Sequence, residues 1–252
     1  MYTFEFLFYP KSFEEPFINE FDYAMENFTS SLCSNGQIMF DFINTVKYSD
    51  HYAYRVVAPE PDSLNEKYYN KYCKQDFLIV SEMSLKEPEL RLIGENYNFS
   101  DSCSCENSSH YVLYTENRDL SYPVVCGDCE RNVPIYKLPR TYDNNNEYYD
   151  VWNWQYIYHA CDKQFMYGMG ERHGYKMMND IKSPLSVEGL RICALWENLV
   201  QKPFYYFLFK YYRKNKPICP KCNENWVNHN KDIKFEYVCE KCRLVSNDIC
   251  SC

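Results

Sequence analysis

Apolar and polar positions set the first expectations along this chain. Met1 to Tyr9 is rich in aromatics and reads as a strand. Beyond Pro10, Phe13, Phe17, Phe21, Ala24 and Phe28 recur at four, four, three and four residues, which predicts a helix from Ser12 to about Leu32 with one face made to dock on a sheet. Further strands are predicted at His51 to Ala58, Phe77 to Val80 and Glu89 to Gly94, with a helix at Ser63 to Cys73. That alternation predicts an α/β domain over residues 1–100, a sandwich of ferredoxin-like character.

The pattern then changes. Residues 101–140 form a Cys-rich segment with one strand, His110 to Thr115, and a stretch punctuated by Pro134 and Pro139. Residues 147–212 read as a helical segment plus a strand. Val151, Trp154, Tyr158, Cys161 and Phe165 lie on one helical face, while Tyr149, Trp152 and Tyr156 make a second stripe, as on a helix buried between layers or at an interface. Ser183 before Pro184 is a helix start, and Leu185, Ile192, Leu195 and Leu199 share the face that follows. The fold class expected from these pieces is α+β, closing in a zinc ribbon over residues 213–252.

Cysteine spacing carries the clearest chemistry. Cys219-Pro220-Lys221-Cys222 is followed after sixteen residues by Cys239-Glu240-Lys241-Cys242. Two Cys-x-x-Cys turns facing each other offer four thiolates to one zinc ion, and the intervening length suits a returning hairpin. Four thiolates leave no open coordination position, so this site is expected to staple a fold rather than do chemistry. Cys103-Ser104-Cys105 and Cys126-Gly127-Asp128-Cys129 come close to the same spacing and suggest a second zinc site, with Gly127 available for a positive φ in the turn. His110 is a candidate substitute for one thiolate. The competing reading leaves these four thiols without metal. Cys250 and Cys252 have no assigned role.

Composition narrows the setting. The chain has 252 residues, 26 Tyr and 16 Phe among them, with a formal charge of −8 that two four-thiolate zinc sites would carry to roughly −12. An acidic protein of this kind does not attract polyanions through its overall field. Fourteen cysteines occur without an export signal or a run long enough to span a membrane, which points to a reducing cytoplasm with thiols used for metal. Residues 1–30 hold six carboxylates against Lys11 alone, a surface suited to a basic partner if they cluster.

One segment argues the other way. Lys202 to Lys216 holds five cations, no acid and seven aromatics. Its plain reading is a buried strand, apolar on both faces. Its functional reading is a base-stacking platform with phosphate contacts from Lys210, Arg213, Lys214 and Lys216. For an enzyme the candidates are poor, since the histidines are scattered, no phosphate loop or nucleophile elbow appears, and Glu171, Arg172 and His173 read as surface positions. No small-molecule substrate is evident.

Several long segments together are similar to a known family. VVCGDCERNVPIYKLP, WNWQYIYHACDKQFMYGMGERHGYK, SPLSVEGLRICALWENL, FYYFLFKYYRKNK, CPKCNENWVN and FEYVCEKCRLVSN, from about Val125 to Asn247, resemble bacterial proteins of unknown function labelled Zn-ribbon-containing, with nucleic-acid binding suggested. The resemblance implies a zinc ribbon at Cys219, Cys222, Cys239 and Cys242 and no established enzymatic activity. It also implies an association with polymorphic toxin modules, where small acidic proteins serve as immunity partners. The expectation is therefore a non-catalytic protein that binds another protein, most concretely a basic toxin domain. A nucleic-acid binder using residues 202–216 is the alternative.

Overall fold

Strand β1 (Tyr2–Phe8) is the centre of the first half. It pairs antiparallel with β3 (Tyr52–Ala58) on one side and β4 (Glu89–Glu95) on the other, and β2 (Asn44–Lys47) completes the order β2-β3-β1-β4 with every pair antiparallel. Register sets Phe4 opposite Val56, Phe6 opposite Tyr54 and Phe8 opposite Tyr52, so these six side chains line one face. Onto that face helix α1 (Phe17–Ser34) lays Ile18, Phe21, Met25, Phe28 and Leu32, all buried at three- and four-residue spacing. The Phe28 ring meets Phe6 and Phe8 edge-on at 5.7 and 6.4 Å. Truncating it to alanine would cost about 3–5 kcal/mol.

Helix α2 (Lys71–Met83) packs beside α1. It corrects two expectations. Of the helix expected at Ser63 to Cys73, residues 63–70 are a turn and a short 3₁₀ segment (Glu66–Tyr68), and the α-helix begins only at Lys71, because Asn70 caps α2 by accepting the Cys73 N–H at 2.8 Å. The apolar run Phe77 to Val80, taken for a strand, lies inside that helix: Cys73, Phe77 and Val80 face the core while Leu78 and Ile79 are exposed. Helix α1 also starts at Phe17, after Pro16, and leaves Phe13 outside. Strand β2, exposed throughout, gave no periodic signal.

The computed structural model describes residues 1–97, 99, 101–116, 122–144, 146–212, 216–229 and 233–248, and the chain divides into two compact units. The first is Met1–Ser102 together with Pro134–Tyr148. That returning segment is held by Arg140, which donates from Nε and Nη2 to Asn35 Oδ1 at 3.0 and 2.9 Å, and by Tyr136, whose hydroxyl donates to Glu60 at 2.5 Å.

The second unit is Cys103–Val133 with Tyr149–Cys252. Its sheet contains β5 (Tyr111–Leu113), β6 (Val124–Cys126), β7 (Phe204–Phe207), β8 (Tyr237–Cys239) and β9 (Leu244–Ser246) in the order β6-β5-β7-β9-β8. The inner pairs are parallel and the outer pairs antiparallel. Central β7 is buried at all four residues, as a strand apolar on both faces requires. Helices α3 (Tyr149–Met166), α4 (Glu171–Asn179) and α5 (Pro184–Val200) complete the unit. Helix α3 buries the predicted face, and Ser183 caps α5 by accepting the Ser186 N–H at 3.0 Å. The buried face of α5 is Leu185, Ile192, Cys193 and Trp196, leaving Leu199 exposed. At Gly189 a Cβ would fall 2.3 Å from the Tyr206 ring, so the absence of a side chain lets α5 approach β7.

Candidate metal centres

Both cysteine sets are built at the same end of the second unit's sheet. Tyr111 stands opposite Cys126 on β6 and opposite Phe204 on β7, while Cys239 at the end of β8 stands opposite Leu244. The two outer strands therefore run out where β5, β7 and β9 begin, and each continues into a Cys-x-x-Cys turn.

Three such turns share one backbone device. The residue directly after the second cysteine has a positive φ in each: 60° at Glu130, 62° at Asn223 and 53° at Arg243. This left-handed residue folds the chain back, and the N–H of Glu130 and of Asn223 bonds the carbonyl of the first cysteine, Cys126 and Cys219, at 2.9 and 3.0 Å. Gly127, expected to supply the positive φ, does not. Its place is fixed by His110 instead, since a Cβ there would sit 2.1 Å from Nε2 of that ring.

In the C-terminal centre the Sγ atoms of Cys219, Cys222, Cys239 and Cys242 lie within 4.8 Å of one another, and Cys222 and Cys239 are 3.6 Å apart. A tetrahedron of about 2.3 Å bonds has edges of about 3.8 Å, so the set fits one metal ion. Bridges between Ile218 and Asn225 and between Val227 and Tyr237 return the second pair to the first. Trp226, 2% exposed, covers this hairpin and donates its ring N–H to the Lys216 carbonyl at 2.7 Å.

The other centre gathers Cys103, Cys105, Cys126 and Cys129 within the same 4.8 Å. The Cys103 N–H bonds the Asn132 carbonyl at 2.8 Å, and the Cys105 N–H points at Cys103 Sγ from 3.4 Å. His110 is not one of the four donors. It is buried against Gly127, Nδ1 bonded to Ser109 Oγ at 2.9 Å and Nε2 without a hydrogen-bond partner among the described residues. Burial holds its pKa below the usual value, with Asp128 pulling the other way.

Electrostatics agrees with a cation at each centre. Burial pushes the Cys103 and Cys239 thiols up strongly and Cys242 to about 11, with neighbouring thiols adding to the rise. Burial opposes ionisation of Cys126 too, yet the Ser108 hydroxyl at 3.1 Å and backbone N–H groups outweigh it and bring that thiol down to about 7. The Glu224 N–H likewise lowers Cys222. Four thiolates so close cannot all ionise alone, and a divalent ion removes the conflict. No disulfide joins the described cysteines.

The remaining candidates are dispersed. Lys210 is half-buried and Lys216 exposed, while Arg213 and Lys214, like Cys250 and Cys252, lie outside the described residues. Glu171, Arg172 and His173 are exposed on the first turn of α4. His159 bonds the buried Thr115 hydroxyl at 2.7 Å, which in turn accepts from Gln155 at 3.2 Å, a latch between α3 and the chain after β5. No described helix is long and apolar enough to cross a membrane.

Comparison with known proteins matches the chain in three consecutive stretches. Residues 1–94 match Domain of unknown function (DUF8589), residues 105–209 match Domain of unknown function (DUF2310) and residues 212–249 match Domain of unknown function (DUF8594). The last match encloses the whole C-terminal centre. An uncharacterized protein of Haemophilus influenzae is 26% identical over 203 residues, covering 78% of this chain and 77% of its own length. Another from the same organism is 27% identical over 164 residues, covering 62% of this chain and 80% of its own length. A crystal structure of a conserved protein from Methanosarcina mazei Go1 aligns at 12% identity with a TM-score of 0.30, over 38% of this chain and 95% of that one, too distant to inform the fold.

Proposed function

We propose that both centres hold structural zinc and that the protein is a non-catalytic, cytoplasmic binding module whose partner is another protein, most concretely a basic toxin domain that it neutralises. All-thiolate donor sets favour a soft or borderline ion, and closed tetrahedra leave no position for a substrate. The order β2-β3-β1-β4, antiparallel throughout with two helices packed together, supports reading the first unit as a ferredoxin-like sandwich.

The observation that carries the partner reading is the outer face of α1. Glu20, Tyr23 and Glu26 follow one another at three-residue spacing, all exposed, with Tyr23 at 67%, and Glu14 and Glu15 precede them. None of these four glutamates has an ion pair among the described residues. Unpaired carboxylates around an exposed tyrosine suit a cationic protein surface, which they steer while the ring anchors. The test is a pull-down of tagged protein from its own cytosol with and without nuclease. A stoichiometric protein that survives nuclease and is lost on Glu20→Lys with Glu26→Lys supports the reading.

Nucleic-acid binding keeps one specific support. Phe165, Tyr175, Phe209, Tyr211 and Tyr212 form a ring cluster at the end of α3, beside the exposed Arg172, His173 and Lys176 of α4. The platform is smaller than the composition of residues 202–216 promised, since Phe204 to Leu208 are buried and only Tyr211 and Tyr212 remain 41% and 50% exposed.

A further inference from the structure

The two centres differ in what surrounds them. Of their eight cysteines only Cys105 is exposed; Cys129 and Cys222 are half-buried and the other five are buried. Cys126 has the Ser108 hydroxyl beside it and Cys103 has the Cys105 N–H, whereas no N–H or hydroxyl among the described residues is bonded to Cys105 Sγ. Hydrogen-bond donors withdraw electron density from a metal-bound thiolate, and Cys105 lacks them.

Charge sharpens the contrast. The residues between and immediately beside the first four cysteines include Glu106, Asp128 and Glu130 and no cation. The corresponding positions around the second four hold Lys221, Lys241 and Arg243 against Glu240. Lys241 is paired with Glu224 and Arg243 with Glu197, as Glu130 is with Lys234, so among the described residues the charges left without an ion pair are Glu106 and Asp128 at the first centre and Lys221 and Glu240 at the second. In the two C-terminal turns a lysine occupies the position before the second cysteine, and in the first centre that position is Asp128. Asp128 is itself held in place by the Ser109 N–H at 2.7 Å and the Ser109 hydroxyl. A zinc ion with four thiolates is a dianion, so flanking cations quieten it and flanking carboxylates leave it more basic and more nucleophilic.

Resting on the zinc reading above, we propose that the Cys103, Cys105, Cys126 and Cys129 centre is a reactive thiolate site whose Cys105 is modified by soft carbon electrophiles, while the C-terminal centre is inert. The Cys105 sulfur attacks the electrophilic carbon, an S–C bond forms, and the leaving group departs with the electron pair of the bond that breaks. The thioether so formed is a poor ligand, and the centre loses its ion.

The test uses the full-length zinc-loaded protein. Zinc is first quantified per chain; the protein then meets limiting iodoacetamide while a chromogenic chelator reports released zinc and peptide mass spectrometry locates the label. The expected result is two zinc ions at the start and release of one in step with carbamidomethylation of Cys105, at least ten-fold faster than labelling of Cys219, Cys222, Cys239 or Cys242. Asp128→Asn, which keeps one acceptor for the Ser109 N–H, turns an amide donor toward the Ser109 hydroxyl and removes the charge, should slow labelling of Cys105 several-fold with zinc content unchanged. Two zinc ions with equal or preferential reaction at the C-terminal centre overturns this inference and leaves the zinc reading standing. No zinc at the first centre overturns both.

Discussion

Arg243 forms a forked ion pair with Glu197 of α5: Nε lies 2.7 Å from Oε2 and 3.0 Å from Oε1, and Nη2 lies 2.7 Å from Oε1. Arg243 is also the positive-φ residue that closes the Cys239–Cys242 turn. Its guanidinium holds the Glu197 carboxyl below the usual range. The C-terminal centre is thereby fastened to a helix of its own unit, at a pair whose side chains are about 30% exposed.

Arg243→Lys keeps the charge and loses the fork. It should cost about 1–2 kcal/mol, or roughly 2–8 °C in melting temperature, measured by calorimetry in excess zinc. An unchanged midpoint would mean that the pair is only a surface contact.

Gly127→Ala drives a methyl group into the His110 ring. A loss of about 1–3 kcal/mol is expected, with earlier zinc release from the first centre. Shortening His110 to alanine in the same chain should recover part of that loss, and a double-mutant cycle without coupling would contradict the contact.

His110 also gives a pH dependence with a definite sign. Burial lowers its folded pKa below the unfolded value near 6.5, so the unfolded state binds the extra proton between the two. Stability should therefore be full above about pH 7 and fall as the pH drops through the unfolded value. Denaturant midpoints from pH 7.5 to 5.5, with zinc kept saturating, should decline less in His110→Gln than in the parent. Equal slopes would assign the decline to other groups.

Removing metal should act locally. With chelator, residues 216–248 should become open to protease, because a segment with so little core folds only around its ion, while residues 1–97 stay protected by the aromatic core of the first unit. Full protection of 216–248 after chelation would refute the structural role.

The cysteine sets were legible because ligand spacing is a local property, and the buried faces of α1 and α3 because their periodicity is long. Phe77 to Val80 misled because four apolar residues satisfy strand and helix alike, and only the Asn70 cap decides for helix. In the second stripe of α3, Tyr149 and Tyr156 are each 56% exposed, while Trp152 is half-buried with its ring 6.2 Å from that of Tyr122. Gly127 is required by its close approach to His110, seventeen residues earlier, and not by a positive φ, and no local pattern announces that approach. The return of Pro134–Tyr148 to the first unit was equally hidden, since it depends on Arg140 reaching Asn35 across 105 residues.

The most direct measurement is zinc per chain by native mass spectrometry, on the parent and on Cys222→Ser and Cys129→Ser. Two closed centres predict two zinc ions in the parent and one in each variant, with the surviving ion in the untouched centre. A parent with one ion or none, or a variant that still holds two, would contradict the account.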